Sequence, residues 1–156
     1  SVESGSPKSH FQPVDLNQLC LTFSEVYEPA ATASNHLLIA EIPPEPIQVK
    51  GDKNLLGQVI ANLVENALRH TPEGSRILLS LSMQDEHAVI EVADNGAGIP
   101  EAEREKVLRR LYRLDASRNT PGNGLGLSLV EGVVKLHGGT LQLLDNAPGL
   151  KVRIVI

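Results

Sequence analysis

The chain has no tryptophan, one cysteine and one methionine among 156 residues, and only 3% of its residues are aromatic. A hydrophobic core must therefore be built mainly from Leu, Val, Ile and Ala. So few aromatic side chains argue against a stacking platform for single-stranded nucleic acid. A single cysteine excludes an internal disulfide and favours a reducing compartment. Cys20 lies between Leu19 and Leu21, so we expect it to be a small buried core residue.

Positive charge is also scarce. The net charge is -5 at pH 7 and there is no basic run, so the electrostatic footprint of a nucleic-acid-binding protein is missing. No apolar run approaches the ~20 residues that a membrane-spanning helix needs, and no signal-peptide pattern is present. Residues 1–10 are polar like a flexible linker, and we expect the chain to be part of a longer protein. Residues 11–156 are predicted to form one domain.

The hydrophobic periodicity alternates between strand and helix patterns. Strands are predicted at 11–14, 36–42, 47–50, 76–83, 87–93, 140–144 and 150–156, and helices at 16–34, 52–70 and 125–137. The fourth and fifth strands, and the last two, are predicted to form antiparallel hairpins. The expected fold class is α+β: a two-layer sandwich in which a mixed, mostly antiparallel sheet packs on about three helices.

The most informative motif follows the strand at 87–93. It reads Asp94-Asn-Gly-Ala-Gly-Ile-Pro, so a buried strand delivers a carboxylate to the point where the chain turns. Gly96 and Gly98 allow backbone angles and close approach that a side chain would forbid. A carboxylate there is suited to accept hydrogen bonds from a ligand's amino group. The alternative is an ordinary turn at the end of a strand.

The predicted helix at 52–70 carries a second, polar stripe. Asn62, Glu65, Asn66, Arg69 and His70 recur at helical spacing away from the apolar face. Asparagine is a poor choice for a solvated helix face, but its neutral carbonyl oxygen is a suitable ligand for a phosphate-bound Mg²⁺. The arginine's planar fork suits a phosphate. A solvated face is the alternative, and for Glu65 a structural role is favoured over acid-base chemistry.

A glycine-rich segment leads into the third predicted helix. Gly122, Gly124 and Gly126 precede or open it, and free backbone N–H groups at a helix N-terminus form a natural phosphate cradle. The spacing matches neither the dinucleotide fingerprint nor the P-loop, and a flexible hinge explains it equally well.

The long segment before those glycines is rich in arginine and includes Arg109, Arg110, Arg113 and Arg118. A loop of this length in a compact domain is usually functional or disordered. The arginines could close over a polyphosphate, or they could be ordinary solvated surface residues.

Four segments, taken in order, carry a family resemblance. Residues 62–72, 94–100, 111–118 and 122–127 resemble the N, G1, F and G2 boxes of the ATP-binding catalytic domain of two-component sensor histidine kinases. This is the Bergerat fold, shared with gyrase, Hsp90 and MutL. The resemblance covers nearly all of the chain from about residue 11 to residue 156.

The resemblance implies a role for each matching residue. Asp94 would accept a hydrogen bond from the adenine amino group, in a pocket shaped by Gly96, Gly98 and Ile99. Asn66 would ligate Mg²⁺, with Asn62 beside it.

Further roles concern the phosphates and the lid. Arg69 would contact a phosphate and His70 would pack on the adenine. The ATP lid would cover about 98–124 and include Arg113 and Arg118. The phosphates would be held by the second glycine segment: Gly122, Gly124, Leu125, Gly126 and Leu127.

The sequence departs from the family pattern in the F box. Leu108 and Leu111 stand where two phenylalanines are usual, which leaves the anchoring of the lid open. The five histidines are His10, His36, His70, His87 and His137. None lies in the His-Glu/Asp-Leu-x-x-Pro setting of a phosphoacceptor, so no catalytic residue of that kind is assigned.

The resemblance then implies a function for the domain. It would bind Mg-ATP and donate the γ-phosphate to a histidine on a separate dimerisation and phosphotransfer domain, of the same or a partner subunit. Asn62 stands where hydrolytic relatives have a glutamate, and an amide cannot act as a general base. A response regulator would act downstream, and the isolated domain is expected to be a monomer on the cytoplasmic side of an inner-membrane sensor. The alternatives are a regulatory nucleotide-binding module without transfer and a serine kinase of the same fold.

Overall fold

The computed structural model describes residues 7–96, 102 and 126–156. Their elements in chain order are β1 (Gln12–Asp15), α1 (Leu16–Ala33), β2 (Leu37–Glu41), β3 (Gln48–Gly51), α2 (Lys53–His70), β4 (Arg76–Gln84), β5 (His87–Asp94), α3 (Gly126–Leu136), β6 (Thr140–Asp145) and β7 (Leu150–Val155). These boundaries lie close to the predicted ones. Most of the predicted lid lies outside the described residues.

Five strands form one sheet in the order β2-β4-β5-β7-β6. The β4–β5 and β6–β7 hairpins are antiparallel, β5 pairs antiparallel with β7, and β2 runs parallel to β4. The predicted α+β sandwich with a mixed, mostly antiparallel sheet is therefore confirmed. The sequence predicts β1 and β3 as short strands, but it does not predict that they pair with each other in a separate two-stranded antiparallel sheet.

The central strand β5 directs its residues alternately to two faces of the sheet. Ala88, Ile90 and Val92 belong to the core beneath the helices, whereas Val89 and Glu91 do not. Successive side chains of a strand point to opposite faces. Asp94, at the end of the strand, has the parity of the core-facing set, so its carboxylate lies on the helix side of the sheet.

Helix α2 packs its apolar stripe against this sheet. Leu56, Ile60, Leu63 and Val64 are at most 2% exposed, and each such side chain contributes about 1.5–3 kcal/mol by leaving water. The helix begins at an N-cap, Asp52, whose Oδ1 accepts from the backbone N–H of Leu55 at 3.1 Å. These interactions fix the helix along its length.

Helix α1 begins in the same way. Asp15 is its N-cap and accepts from the backbone N–H of Gln18 at 3.0 Å. Cys20 is fully buried in this helix, and burial raises its pKa to about 12. The expected core role of the cysteine is therefore confirmed.

His137 joins the end of α3 to the start of α2. Its Nδ1–H donates to the carbonyl of Val133 at 2.8 Å, so Nε2 is free to accept from the backbone N–H of Asp52 at 3.0 Å. Together the two bonds assign the hydrogen to Nδ1 and the acceptor lone pair to Nε2. Phe11 stacks on the ring with 4.6 Å between centroids. This contact couples three segments that are far apart in the sequence.

Candidate functional site

The carboxylate of Asp94 is the centre of the candidate site. The residue is 7% exposed. Its Oδ1 accepts two backbone N–H groups, from Gly96 at 2.9 Å and from Leu150 at 3.2 Å. Within the described residues Oδ2 accepts no hydrogen bond. The side chain is thus held by one oxygen and offers the other to a donor from outside.

The turn between β6 and β7 supports Asp94 from the neighbouring strand. Asn146 donates its side-chain N–H to the Asp94 carbonyl at 2.7 Å. Gly149 has φ +109°, and a Cβ added there would lie 1.9 Å from the same carbonyl oxygen. In the sequence, this segment is indicated only as the turn of the last hairpin. No local pattern indicated the contact, because its partners are 52 and 56 residues apart.

Gly96 lies against the segment that follows α2. A Cβ at this position would be 2.9 Å from the Thr71 methyl carbon and 3.3 Å from Asp94 Oδ1, closer than a side chain tolerates. Thr71 itself is fixed, since its hydroxyl donates to the carbonyl of Ala67 at 2.7 Å and accepts from His36 Nε2 at 2.9 Å. The predicted requirement for glycine here therefore has a structural cause.

Asn66, the predicted Mg²⁺ ligand, has a polar group that is left unsatisfied within the described part of the chain. Its Nδ2 is buried and has no hydrogen-bond partner among the described residues. Leaving a buried polar group unpaired costs about 1–3 kcal/mol, so such groups commonly mark a functional position. Asn62 precedes Asn66 by one helical turn and is half-buried.

The predicted polar stripe of α2 divides into two rows. Glu65 and Arg69 form an ion pair at 4.0 Å, with side chains 43% and 35% exposed. Tyr27 of α1 lies close to them: its pKa is raised first by burial and then by Glu65, while Arg69 acts in the opposite direction. Arg69 therefore lies on the α1 side. Asn62, Asn66 and His70, spaced by four residues, form the other row.

His70 stands in the last turn of α2. Its pKa is lowered first by burial and second by the positive charge of Arg69. The lowered pKa favours the neutral ring, which suits packing against an uncharged aromatic base.

The predicted phosphate segment is described only from the first residue of α3. Gly126 opens that helix, and Leu127, at 7% exposure, packs its side chain into the core. Seven further predicted site residues lie outside the described part of the chain, together with the F-box positions Leu108 and Leu111. They are Gly98, Ile99, Arg113, Arg118, Gly122, Gly124 and Leu125.

Together the fold and this edge of the sheet define an ATP-binding domain of the Bergerat type. The family of histidine kinase-, DNA gyrase B- and HSP90-like ATPases matches residues 51–156. The chain belongs to this family.

Its relatives within the family are sensor histidine kinases. The probable sensor histidine kinase TcrY of Mycobacterium tuberculosis is 37% identical over 150 residues, which cover 95% of this chain and 31% of that protein. The chain thus spans less than a third of the length of this relative.

Solved structures of histidine kinases are also similar to this chain. The mycobacterial sensor histidine kinase MprB superposes with a TM-score of 0.77 at 33% identity, covering 94% of this chain and 96% of that one. Full-length ShkA in complex with AMPPNP superposes with a TM-score of 0.78 at 25% identity, over 93% of this chain and 30% of that one.

Within the described residues no helix is long and apolar enough to cross a membrane. In the same part of the chain no cluster of three or more His, Cys, Asp or Glu side chains could hold a metal ion.

Proposed function

We propose that this domain binds ATP with Mg²⁺ and donates the γ-phosphate to a histidine on a separate dimerisation and phosphotransfer domain. The observation that carries the proposal is the buried Asp94 carboxylate, which is anchored through Oδ1 and accepts no hydrogen bond at Oδ2 from the described part of the chain. A buried acceptor of this kind recognises a donor such as the exocyclic amino group of adenine. The complex of ShkA with AMPPNP supports a nucleotide as the ligand.

Asp94 supplies selectivity for the base. A hydrogen bond to a charged group contributes about 1.5–3 kcal/mol, which corresponds to roughly 10–150-fold in affinity. In Asp94→Asn, the two backbone N–H donors would retain the amide oxygen. The new NH₂ group would then face the amino group of the base, donor against donor.

Asn66 fits the role of a Mg²⁺ ligand. Mg²⁺ in nucleotide sites is held by few protein groups together with phosphate oxygens and water. The carbonyl oxygen of Asn66 is a suitable ligand for the ion, and its buried Nδ2, which has no partner among the described residues, would donate to a phosphate oxygen. The ion would neutralise the charge of the phosphates, and Arg69, in the neighbouring row of α2, would contact a phosphate.

Transfer is favoured over hydrolysis because Asn62 stands where hydrolytic relatives have a glutamate, and an amide cannot act as a general base. Asn62 and Asn66 are amides, and Glu65 is engaged with Arg69. Such a domain catalyses transfer mainly by positioning the phosphates and neutralising their negative charge. The acceptor histidine would come from the phosphotransfer domain of the same or a partner subunit, and a response regulator would receive the phosphate from it.

The whole protein is proposed to be a sensor with this domain on the cytoplasmic side of the inner membrane. Alone, the domain is expected to be monomeric, which sedimentation would test.

The binding part is tested by calorimetric titration of the chain with ATP in Mg²⁺ and in EDTA. The wild type should bind more tightly with Mg²⁺. Asp94→Asn should lose about tenfold or more in affinity, and Asn66→Ala should lose the response to Mg²⁺. Asn17→Ala, which removes hydrogen bonds to the segment between β2 and β3, should retain both properties. Unchanged affinity in Asp94→Asn would refute the assignment of the base.

The transfer part is tested by mixing the chain with its own phosphotransfer domain and ATP labelled on the γ-phosphate. Phosphohistidine is labile in acid and stable in alkali, whereas phosphoserine has the opposite behaviour. Label that survives alkali supports the proposal. Label that survives only acid indicates the serine-kinase alternative, and binding without transfer indicates a regulatory module.

A further inference from the structure

A hydrogen-bond donor on the neighbouring strand helps to orient the Asp94 carboxylate. One of the two donors to Oδ1, the N–H of Gly96, is local, but the other belongs to Leu150 at the start of β7. The latter bond requires that the β6–β7 turn stay close to the end of β5. The orientation of the carboxylate therefore depends on whatever holds this turn in place.

Asn146 holds the turn against β5. Its side-chain N–H donates to the carbonyl of Asp94 at 2.7 Å, and its backbone N–H donates to the carbonyl of Gly149 at 3.0 Å, which closes the turn. The side-chain bond is half-buried and spans 52 residues. Asn146 thus links the closed turn directly to the residue that carries the carboxylate.

We propose that Asn146 is a positioning residue for base recognition, acting through the backbone of Asp94 on the direction of Oδ2. The proposal rests on the proposed binding of ATP. Without the bond from Asn146, the turn relaxes away from β5 and the Leu150 N–H no longer fixes Oδ1. The carboxylate then rotates, and selectivity for an amino group falls while contacts to the phosphates remain.

The test compares ATP with purine riboside triphosphate, an analogue that lacks the amino group, by calorimetry on the chain in Mg²⁺. The wild type should prefer ATP by about tenfold or more, as expected for a hydrogen bond to a charged group. In Asn146→Ala the preference should fall to about twofold or less, with the affinity for the analogue changed less than about threefold. A merely structural role would weaken both ligands alike.

A second variant tests whether the lost hydrogen bond, and not the lost side-chain volume, explains the result. Asn146→Asp keeps the size of the side chain but cannot donate to the Asp94 carbonyl, so it should lose the preference as Asn146→Ala does. Asn17→Ala removes side-chain bonds to Pro43 and Glu45, away from Asp94, and should keep the preference of the wild type.

The outcomes separate this proposal from the one on which it rests. A wild type that binds ATP and the analogue equally would refute base recognition by Asp94, and the role of Asn146 with it. A wild type that prefers ATP, with Asn146→Ala and Asn146→Asp preferring it equally, would overturn only the positioning role.

Discussion

Replacing Gly149 with alanine should destabilise the domain through its contact with Asp94. Gly149 has φ +109°, and the added Cβ would lie 1.9 Å from the Asp94 carbonyl oxygen and 2.9 Å from the Asn95 Cα. These are backbone atoms of a central strand, so they cannot move aside as a flexible side chain could. The substitution must therefore displace either the β6–β7 turn or the end of β5.

Two terms give the magnitude. A non-glycine residue at positive φ costs about 1–2 kcal/mol, and forcing an extra carbon into a packed site costs about 1–3 kcal/mol. The total of roughly 2–5 kcal/mol is large against the 5–15 kcal/mol typical of a domain. At about 2–4 °C per kcal/mol for a chain of this size, Tm should fall by roughly 4–20 °C.

Gly74→Ala is the matched control. Gly74 has φ +90°, but nothing lies within 4 Å of its added Cβ. Only the cost of placing a non-glycine residue at positive φ therefore applies to this variant. Thermal unfolding followed by circular dichroism should give a fall of about 2–8 °C for Gly74→Ala and a distinctly larger one for Gly149→Ala. Equal falls in Tm would refute the reasoning that the turn packs directly on the carbonyl of Asp94.

Three further predictions follow from the described residues. Cys20, with its pKa raised to about 12 by burial, should not react with a thiol reagent at pH 8 until the protein unfolds; rapid labelling of the native protein would contradict its burial. His70 should titrate below 6.5 in an NMR experiment, and Arg69→Gln should raise its pKa part of the way back. Because the lowered pKa favours the neutral ring, the contribution of His70 to stability is full above about pH 6.5 and is lost as the pH falls through the lowered pKa. His137→Ala should lower Tm by removing an acceptor for the Asp52 N–H, at a cost of about 1–3 kcal/mol, and an unchanged Tm would contradict that coupling.

Local signals in the sequence were sufficient to predict the elements of the fold. Periodicity predicted the strands and helices, and the helix starts predicted at 16 and 52 lie within one residue of those in the structure. Both hairpins and the core position of Cys20 followed from the same kind of pattern. These features depend on residues within a few positions of one another, so their pattern is visible in the sequence itself.

Contacts between distant segments could not be predicted in this way. The parallel pairing of β2 with β4 and the support of Asp94 by Asn146 and Leu150 depend on how the elements pack. The division of the polar stripe on α2 is another case, because the position of Tyr27 on α1 decides which row Arg69 joins. Spacing along one helix carries no information about its neighbours.

If the Asp94 carboxylate recognises the amino group of adenine, the chain should bind ATP more tightly than GTP. Guanine presents a carbonyl oxygen where adenine presents its amino group, so a free carboxylate oxygen would meet an acceptor instead of a donor. Calorimetry in Mg²⁺ should give tighter binding of ATP by about tenfold or more. Equal affinities for the two nucleotides would contradict the account.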